Sequence, residues 1–462
     1  MTAAEALAEL VGEDRVMTGA ETVRFARDWS PRRQLAERRG ESQEPPACVV
    51  SPVSTDEVAA ILRWAHETKT AIVPFGGGSG VCEGIEGSGR VIVELSALDR
   101  VLEVDDKSRL VRVQAGIGGP ALDRELHRHG FRLGHEPQSL SISTVGGWIA
   151  TRATGQLSSR YGGIERLLAG FETVLPGGRI LVSKTAPRRA AGPDIAALMI
   201  GSEGTLGIVT EATLRVSPAD PVRADRCLRF EHMADGVAAC RALAQSELDP
   251  SVVRLYDLVD SEIFLRSQPD EPRGPLLLLS FEGDDADRRA DRAVELAAGH
   301  PGNEALVEHW WLHRNDAVED YRELMDGRGI LGPHALVDTI EVSATWTVLR
   351  ALYHQVGTAL EAVADVVGCH LSHVYPDGGC LYFTLASACA DDDAAAALYE
   401  RWWGTAMQEC LAAGGSISHH HGIGRLKAPW LPAELGGWFD VLKAIKAAVD
   451  PHRIMNPGAL GL

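Results

Sequence analysis

The chain has 462 residues, 45% of them hydrophobic and 24% charged, with a formal net charge of −19. That length and balance suit two or three domains with sizeable cores. The acidic surplus argues against nucleic acid or an anionic membrane as the main partner, since both reward a basic surface.

Eight scattered cysteines form no CxxC pair, which reads as reduced thiols in a cytoplasmic protein and not as a disulfide or zinc framework. The start, MTAAEALAELVGEDR, lacks a basic and apolar leader, and no apolar run reaches membrane-spanning length.

In chain order, residues 1 to 44 read as a short helix and an irregular basic and aromatic segment. Cys48 to Val50 is a short apolar strand, and Ser54-Thr55-Asp56-Glu57 signals a helix start. After that helix comes a strand, Ala71 to Pro74, so the three elements make a strand–helix–strand unit. RVIVELSALDRVLEVDDKSRLVRVQAG predicts three short strands of one antiparallel or mixed sheet. GPALDRELHRHGF is a helix closed by Gly130, and Pro176-Gly177-Gly178 centres a hairpin. Near Pro218 the glycine-rich loops stop, and helices alternate with strands such as PLLLLSFEG and GCLYFTLA. WFDVLKAIKAAVD is a last amphipathic helix before an Asn-Pro-Gly turn. No internal repeat is present.

Three loops carry the chemistry of the first half. PFGGGSG follows a strand and brings backbone N–H groups close to an anion, without the GKS or GKT ending of a nucleotide-hydrolysing loop. QSLSISTVGGWIATRATG and GSEGTLGIV are further glycine- and hydroxyl-rich loops within the same half. Three such loops suit a large, extended, multi-phosphate ligand. A flavin dinucleotide fits, because its pyrophosphate needs amide donors and its ring needs walls poor in side chains. In the second half, SISHHHGIGRLK sets three histidines against a glycine turn; the run is internal and short, and a basic pair follows it.

PFGGGSG, STVGGW, GSEGTLG with TEAT, and DPHRIMNPG resemble flavoproteins of the vanillyl-alcohol oxidase type. GHEPQSLSISTVGGWIATRATG, VVRLYD, HVYPDGGCLYF and SISHHHGIGRLK resemble, within them, the alkyldihydroxyacetonephosphate synthases of ether-lipid synthesis. The resemblance implies an α+β chain: a PCMH-type (p-cresol methylhydroxylase-type) FAD-binding domain over residues 45–217, and an α+β cap over 218–420. A segment of 421–462 would return to the flavin domain.

It implies that FAD is held by Pro74, Phe75, Gly76, Gly77, Gly78, Ser79 and Gly80, and by Gln138, Ser139, Leu140, Ser141, Ile142, Ser143 and Thr144. Thr151, Arg152, Ala153 and Thr154 would join them, with Glu203, Gly204, Thr205, Leu206, Gly207, Ile208 and Val209. Ser79 stands where covalently flavinylated relatives carry a linking histidine, so the flavin is expected to be non-covalent.

The implied reaction exchanges the acyl group of acyl-dihydroxyacetone phosphate for a long-chain alcohol through a flavin adduct, with no net redox. Tyr375 matches the family's catalytic tyrosine, which moves the substrate proton. Arg254 matches an arginine important for activity, and His419, His420 and His421 match the triple histidine, donors or proton shuttles near neutral pH. One family arginine that contacts substrate falls on Gly327, with Arg328 one residue later as its replacement.

The competing reading is an FAD-linked dehydrogenase of a D-2-hydroxy acid or another alcohol. Its metal ligands are only partly matched: His373 and His421 stand, but Cys380 and His420 replace a histidine and a glutamate, so no metal is expected. A lipid-like small molecule is the expected substrate. Peripheral membrane contact and a homodimer are both compatible with the sequence.

Overall fold

The computed structural model describes residues 1–268, 270–316 and 331–462. Contacts divide the chain into two units. The first comprises 1–154, 163–219 and 420–462, and the second comprises 155–162 and 220–419. No helix among the described residues is long and apolar enough to cross a membrane.

The first unit is built on two main sheets, with a two-stranded ribbon of Phe131–Arg132 and Ser217–Pro218 beside them. In one, β1 (Cys48–Val50) leads through α1 (Thr55–Thr68) to β2 (Ile72–Phe75), and β3 (Val91–Glu94) lies between β1 and β2 with parallel register to both. Ser54 caps α1 by accepting the N–H of Glu57 at 3.2 Å, as the helix-start signal predicts. The second sheet contains β4 (Val101–Asp105), β5 (Leu110–Gln114), β6 (Leu168–Leu175), β7 (Arg179–Val182) and β8 (Ile208–Arg215), in the antiparallel order β4-β5-β8-β6-β7.

The three strands expected in one sheet therefore divide between two. Every residue of β3 is buried, as a strand covered on both faces requires, whereas β4 keeps solvent on one side. The hairpin at Pro176-Gly177-Gly178 joins β6 to β7 as expected, with both glycines at positive φ.

The C-terminal helix, Gly437–Val449, returns to this unit through one buried cation. Lys446 is 2% exposed, and its Nζ donates to Asp450 Oδ2 (2.6 Å), Thr205 O (2.7 Å) and Met455 O (2.9 Å). Asp450 in turn accepts the backbone N–H groups of Ile454 and Met455. All three ammonium hydrogens are thus satisfied, the condition under which a buried charge is tolerated.

Among the described residues the second unit holds one seven-stranded antiparallel sheet. Five of its strands frame the site: β9 (Val252–Tyr256), β10 (Leu276–Glu282), β11 (Ala335–Thr345), β12 (Val366–Tyr375) and β13 (Gly378–Ala388), ordered β10-β9-β12-β13-β11. Strand alternation sorts the two faces. Leu371, Leu381, Phe383, Ile340 and Val342 are fully buried, on the side of the sheet where α2 (Trp346–Glu361) supplies Leu349, Leu352 and Val356. The other face presents Arg254, Tyr256, His370, Tyr382 and Glu341, a polar series.

Lys446→Met leaves Asp450 buried and unpaired, so it is expected to cost about 3–5 kcal/mol of stability. Lys446→Met with Asp450→Asn should recover part of that loss; urea unfolding followed by tryptophan fluorescence reads both.

Candidate active site

In the first unit the glycine loops meet at distances only glycine permits. A Cβ on Gly77 would lie 1.8 Å from the carbonyl oxygen of Ile142, and one on Gly76 would lie 2.4 Å from Thr144 Oγ1. Gly78 has φ +66° against the ring of Phe75, and Gly204 has φ +72° against Pro74. Thus Pro74–Gly80, Gln138–Thr144 and Glu203–Val209, three loops separate in sequence, form one backbone cradle.

Thr144 caps the short helix Val145–Thr151, and Ser143 Oγ accepts the indole N–H of Trp148 at 2.7 Å. Thr151 bonds the carbonyl of Gly147, Arg152 takes a left-handed backbone, and the N–H of Ala153 reaches the carbonyl of Trp148. Thr154 bridges to Gly163.

Several expected flavin residues spend their side chains elsewhere. Glu203 Oε1 and Oε2 accept the N–H groups of Ile423 (2.6 Å) and Gly424 (2.8 Å), the tail end of the histidine motif. Burial raises its pKa, and those N–H groups and nearby cations oppose the rise. Leu206, Ile208 and Val209 are core residues, and Thr205 Oγ1 donates to the carbonyl of Ser202. This loop therefore offers a ligand its backbone. Asn456 in the MNPG turn donates to the carbonyls of Glu203 (2.7 Å) and Gly84 (2.9 Å), while Arg425 reaches the carbonyls of Glu83, Gly84 and Pro457.

Two buried groups of this unit were not singled out by the sequence reading. Asp28 accepts the N–H groups of Ser30 (3.1 Å) and Gly84 (2.8 Å), anchoring the N-terminal segment beside the glycine loop; burial raises its pKa to about 7. His135 is 2% exposed, neither of its ring nitrogens has a partner among the described residues, and its ring lies 4.8 Å from Trp148. Burial depresses its pKa to about 3, so the imidazole is neutral. An orphaned imidazole of this kind costs about 1–3 kcal/mol unless a ligand completes it. Together, a side-chain-poor cradle and an unpaired buried donor fit a bound dinucleotide.

The second unit brings Tyr375 and His419 together. Strand β12 carries an irregularity between Ser372 and Tyr375, where His373 adopts φ +49°. This break releases the following residues from strand alternation. Tyr375 Oη lies 3.1 Å from His419 Nε2 and donates to Ser158 Oγ at 3.4 Å; Ser158 is also 2.7 Å from His373 Nδ1. The rings of His373 and His419 stack at 4.9 Å, which closes a cycle of four side chains. The fully buried carboxylate of Glu341 holds His419 from behind, accepting its backbone N–H and the hydroxyl of Ser418 (2.9 Å). Such a cycle can take up a proton at one atom and deliver it at another.

Within the triple histidine, His419 meets Tyr375, and the rings of His420 and His421 stand edge-on to each other at 4.5 Å. Arg254 lies on β9, and its Nε donates to Tyr256 Oη at 2.8 Å. Cys380 is buried in β13 with its Sγ directed to the carbonyl of Leu381. Gly327 and Arg328 lie outside the described residues. Ser158 and Glu341 had no motif signal. Ser158 comes from the flavin half of the sequence, and Glu341 is one of two acids in its strand.

Two family models match the chain: the FAD binding domain over residues 46–184, and the C-terminal domain of FAD linked oxidases over 222–460. The chain is 30% identical over 459 residues to an alkyldihydroxyacetonephosphate synthase of Caenorhabditis elegans, covering 90% of this chain and 76% of that protein. A solved alkyldihydroxyacetonephosphate synthase superposes with a TM-score of 0.80 at 27% identity, covering 96% of this chain and 83% of that one. p-Cresol methylhydroxylase shares the fold at a TM-score of 0.77 and 15% identity, with 100% and 96% coverage. The fold is therefore the PCMH-type FAD-binding fold with an α+β cap, and FAD is the cofactor.

Gly77→Ala should lower flavin content about tenfold or more, because the collision is with backbone and cannot relax by a rotamer change. The visible flavin band relative to protein absorbance reads this, with far-ultraviolet circular dichroism unchanged. Asp28 gives a pH test. Its folded pKa lies above the unfolded value, so its stabilising contribution is full below about pH 4 and lost as pH rises through about 7. Asp28→Asn should flatten the thermal midpoint across that window.

Proposed function

The chain belongs to the FAD-linked oxidases, and from that premise we propose that it exchanges the acyl group of acyl-dihydroxyacetone phosphate for a long-chain alcohol, giving an ether lipid precursor and a free fatty acid. Bound FAD supplies a reversible covalent anchor for the reacting carbon, so the exchange consumes no external electron acceptor. The Pro74–Gly80, Gln138–Thr144 and Glu203–Val209 loops would hold it, chiefly through backbone, with Ser79 offering no histidyl link. The observation that carries the reading is the 3.1 Å approach of Tyr375 Oη to His419 Nε2, with Ser158 and His373 completing the cycle.

Acyl exchange requires a proton to leave a carbon beside a carbonyl, and later requires the alcohol to lose its own. Tyr375 contacts the substrate and transfers that proton, passing it to His419. His373 takes the alternative route through Ser158. Glu341 fixes the backbone of His419, so the imidazole stays within reach of the phenol while charge moves. The hydroxy-acid dehydrogenase reading would need a second imidazole where Cys380 is buried, and Cys380 is turned to a backbone carbonyl.

The test is acceptor-free turnover. Purified yellow protein given acyl-dihydroxyacetone phosphate and a long-chain alcohol should release ether product and fatty acid in equal amounts by mass spectrometry. Tyr375→Phe should reduce this by about 10²–10⁴-fold, the range a positioned proton-transfer group supplies. Flavin bleaching by 2-hydroxy acids, with turnover only when an acceptor is added, would replace the exchange reading with a dehydrogenase.

A further inference from the structure

On the polar face of the cap sheet, cross-strand register sets Tyr256, His370, Tyr382 and Glu341 in one row across β9, β12, β13 and β11. Arg254 stands two residues before Tyr256 on the same face. Its Nε is fixed on Tyr256 Oη at 2.8 Å, with the guanidinium carbon 5.1 Å from that ring's centre. Its two terminal nitrogens have no acceptor among the described residues, and no carboxylate there pairs with it. A half-buried guanidinium with a clamped stem and an open fork has the geometry that receives an oxyanion in two parallel hydrogen bonds.

His370 is 4% exposed, and its Nδ1 is 2.7 Å from Oδ2 of the buried Asp260. The carboxylate keeps the Nδ1 proton in place, so Nε2 is the ring's remaining polar atom, and it too has no partner among the described residues. The imidazole is wedged between two phenols, 5.7 Å from Tyr256 and 4.8 Å from Tyr382 by ring centres. Tyr382 is itself tied to Thr339 Oγ1 at 2.9 Å. The register that pairs Tyr256 with His370 puts Arg254 diagonally across from His370 on the same face, and burial, followed by the charge of Arg254, lowers the His370 pKa to about 4.

We propose that Arg254 and His370, the latter positioned by Asp260, form an oxyanion subsite on the cap sheet that takes a phosphate or carboxylate of the substrate. Arg254 binds two oxygens through its fork. One proton is shared between Nε2 of His370 and the anion, at a third oxygen of a phosphate or at one of the two oxygens of a carboxylate, and it is brought by the anion or taken up as it arrives. The inference deepens the exchange reading, whose substrate carries a phosphate and whose leaving group is a carboxylate.

Isothermal titration of the flavin-loaded protein with inorganic phosphate, and separately with octanoate, tests it. At least one anion should bind the wild type. Arg254→Met should weaken that binding about tenfold or more, and His370→Gln and Asp260→Asn about three- to tenfold, as expected for lost charge-assisted hydrogen bonds. Flavin content and melting temperature confirm that each variant folds, and Arg254→Lys, which keeps charge but loses the fork, should bind at an intermediate level.

In ¹⁵N-histidine spectra the anion should move the Nε2 signal that His370→Gln removes, a shift that a purely structural role would not produce. Phosphate binding alone identifies the phosphate group as occupant, and octanoate alone the carboxylate; either supports the subsite. Absence of both, or equal binding in Arg254→Met and His370→Gln, overturns it. Anion binding lost in these variants while acceptor-free exchange is absent from the wild type would leave the subsite standing and discard only the exchange reaction.

Discussion

A Cβ on Gly77 would sit 1.8 Å from the carbonyl oxygen of Ile142, and much of the flavin-binding unit is arranged to sustain that approach. Bringing two backbones so close costs solvation, so every carbonyl and amide near the contact needs a partner. In the adjoining loops Asn456, Arg425 and Lys446, from the C-terminal segment, donate to the carbonyls of Glu203, Gly84 and Thr205, and Asp28, from the N-terminal one, accepts the N–H of Gly84. The C-terminal groups are more than 200 residues from their partners in sequence, and Asp28 is 56 from Gly84. The first unit is therefore closed by its own chain ends, and the buried ion pair of Lys446 with Asp450 is part of how the Glu203–Val209 loop keeps its place.

The cap follows a different logic. Its sheet is apolar where α2 covers it and polar on the reverse, and strand alternation alone produces that division. A regular β12 would have continued the alternation past Ser372. The left-handed backbone of His373 breaks it and frees His373 and Tyr375 to meet Ser158 and His419. Positive φ in a bulky residue is unfavourable, and here it coincides with the point where the side chains of the site converge.

Much of the outline was legible. Ser54 announced α1, Pro176-Gly177-Gly178 announced its hairpin, and the three glycine loops announced a cradle, because caps, turns and glycine runs are local devices whose physics is contained in a few residues. The grouping of strands was less legible: β3 reads like its neighbours, and only burial on both faces places it in the parallel sheet. Ser158, Glu341, His370 and Asp260 carried no local signal. A serine in a helix turn and an acid within a strand acquire a role only from what lies opposite them.

The sequence by itself determined the family and the cofactor and offered a tyrosine, an arginine and three histidines as candidates, since these rest on short motifs whose spacing survives without the fold. The tertiary structure decided which of them meet. It set His419 against Tyr375, gave Glu203's side chain to the backbone of Ile423 and Gly424, and put His370 between two phenols with Asp260 behind it. Register across antiparallel strands fixes such neighbours, and register is set by hydrophobic burial along whole strands, which no short motif encodes.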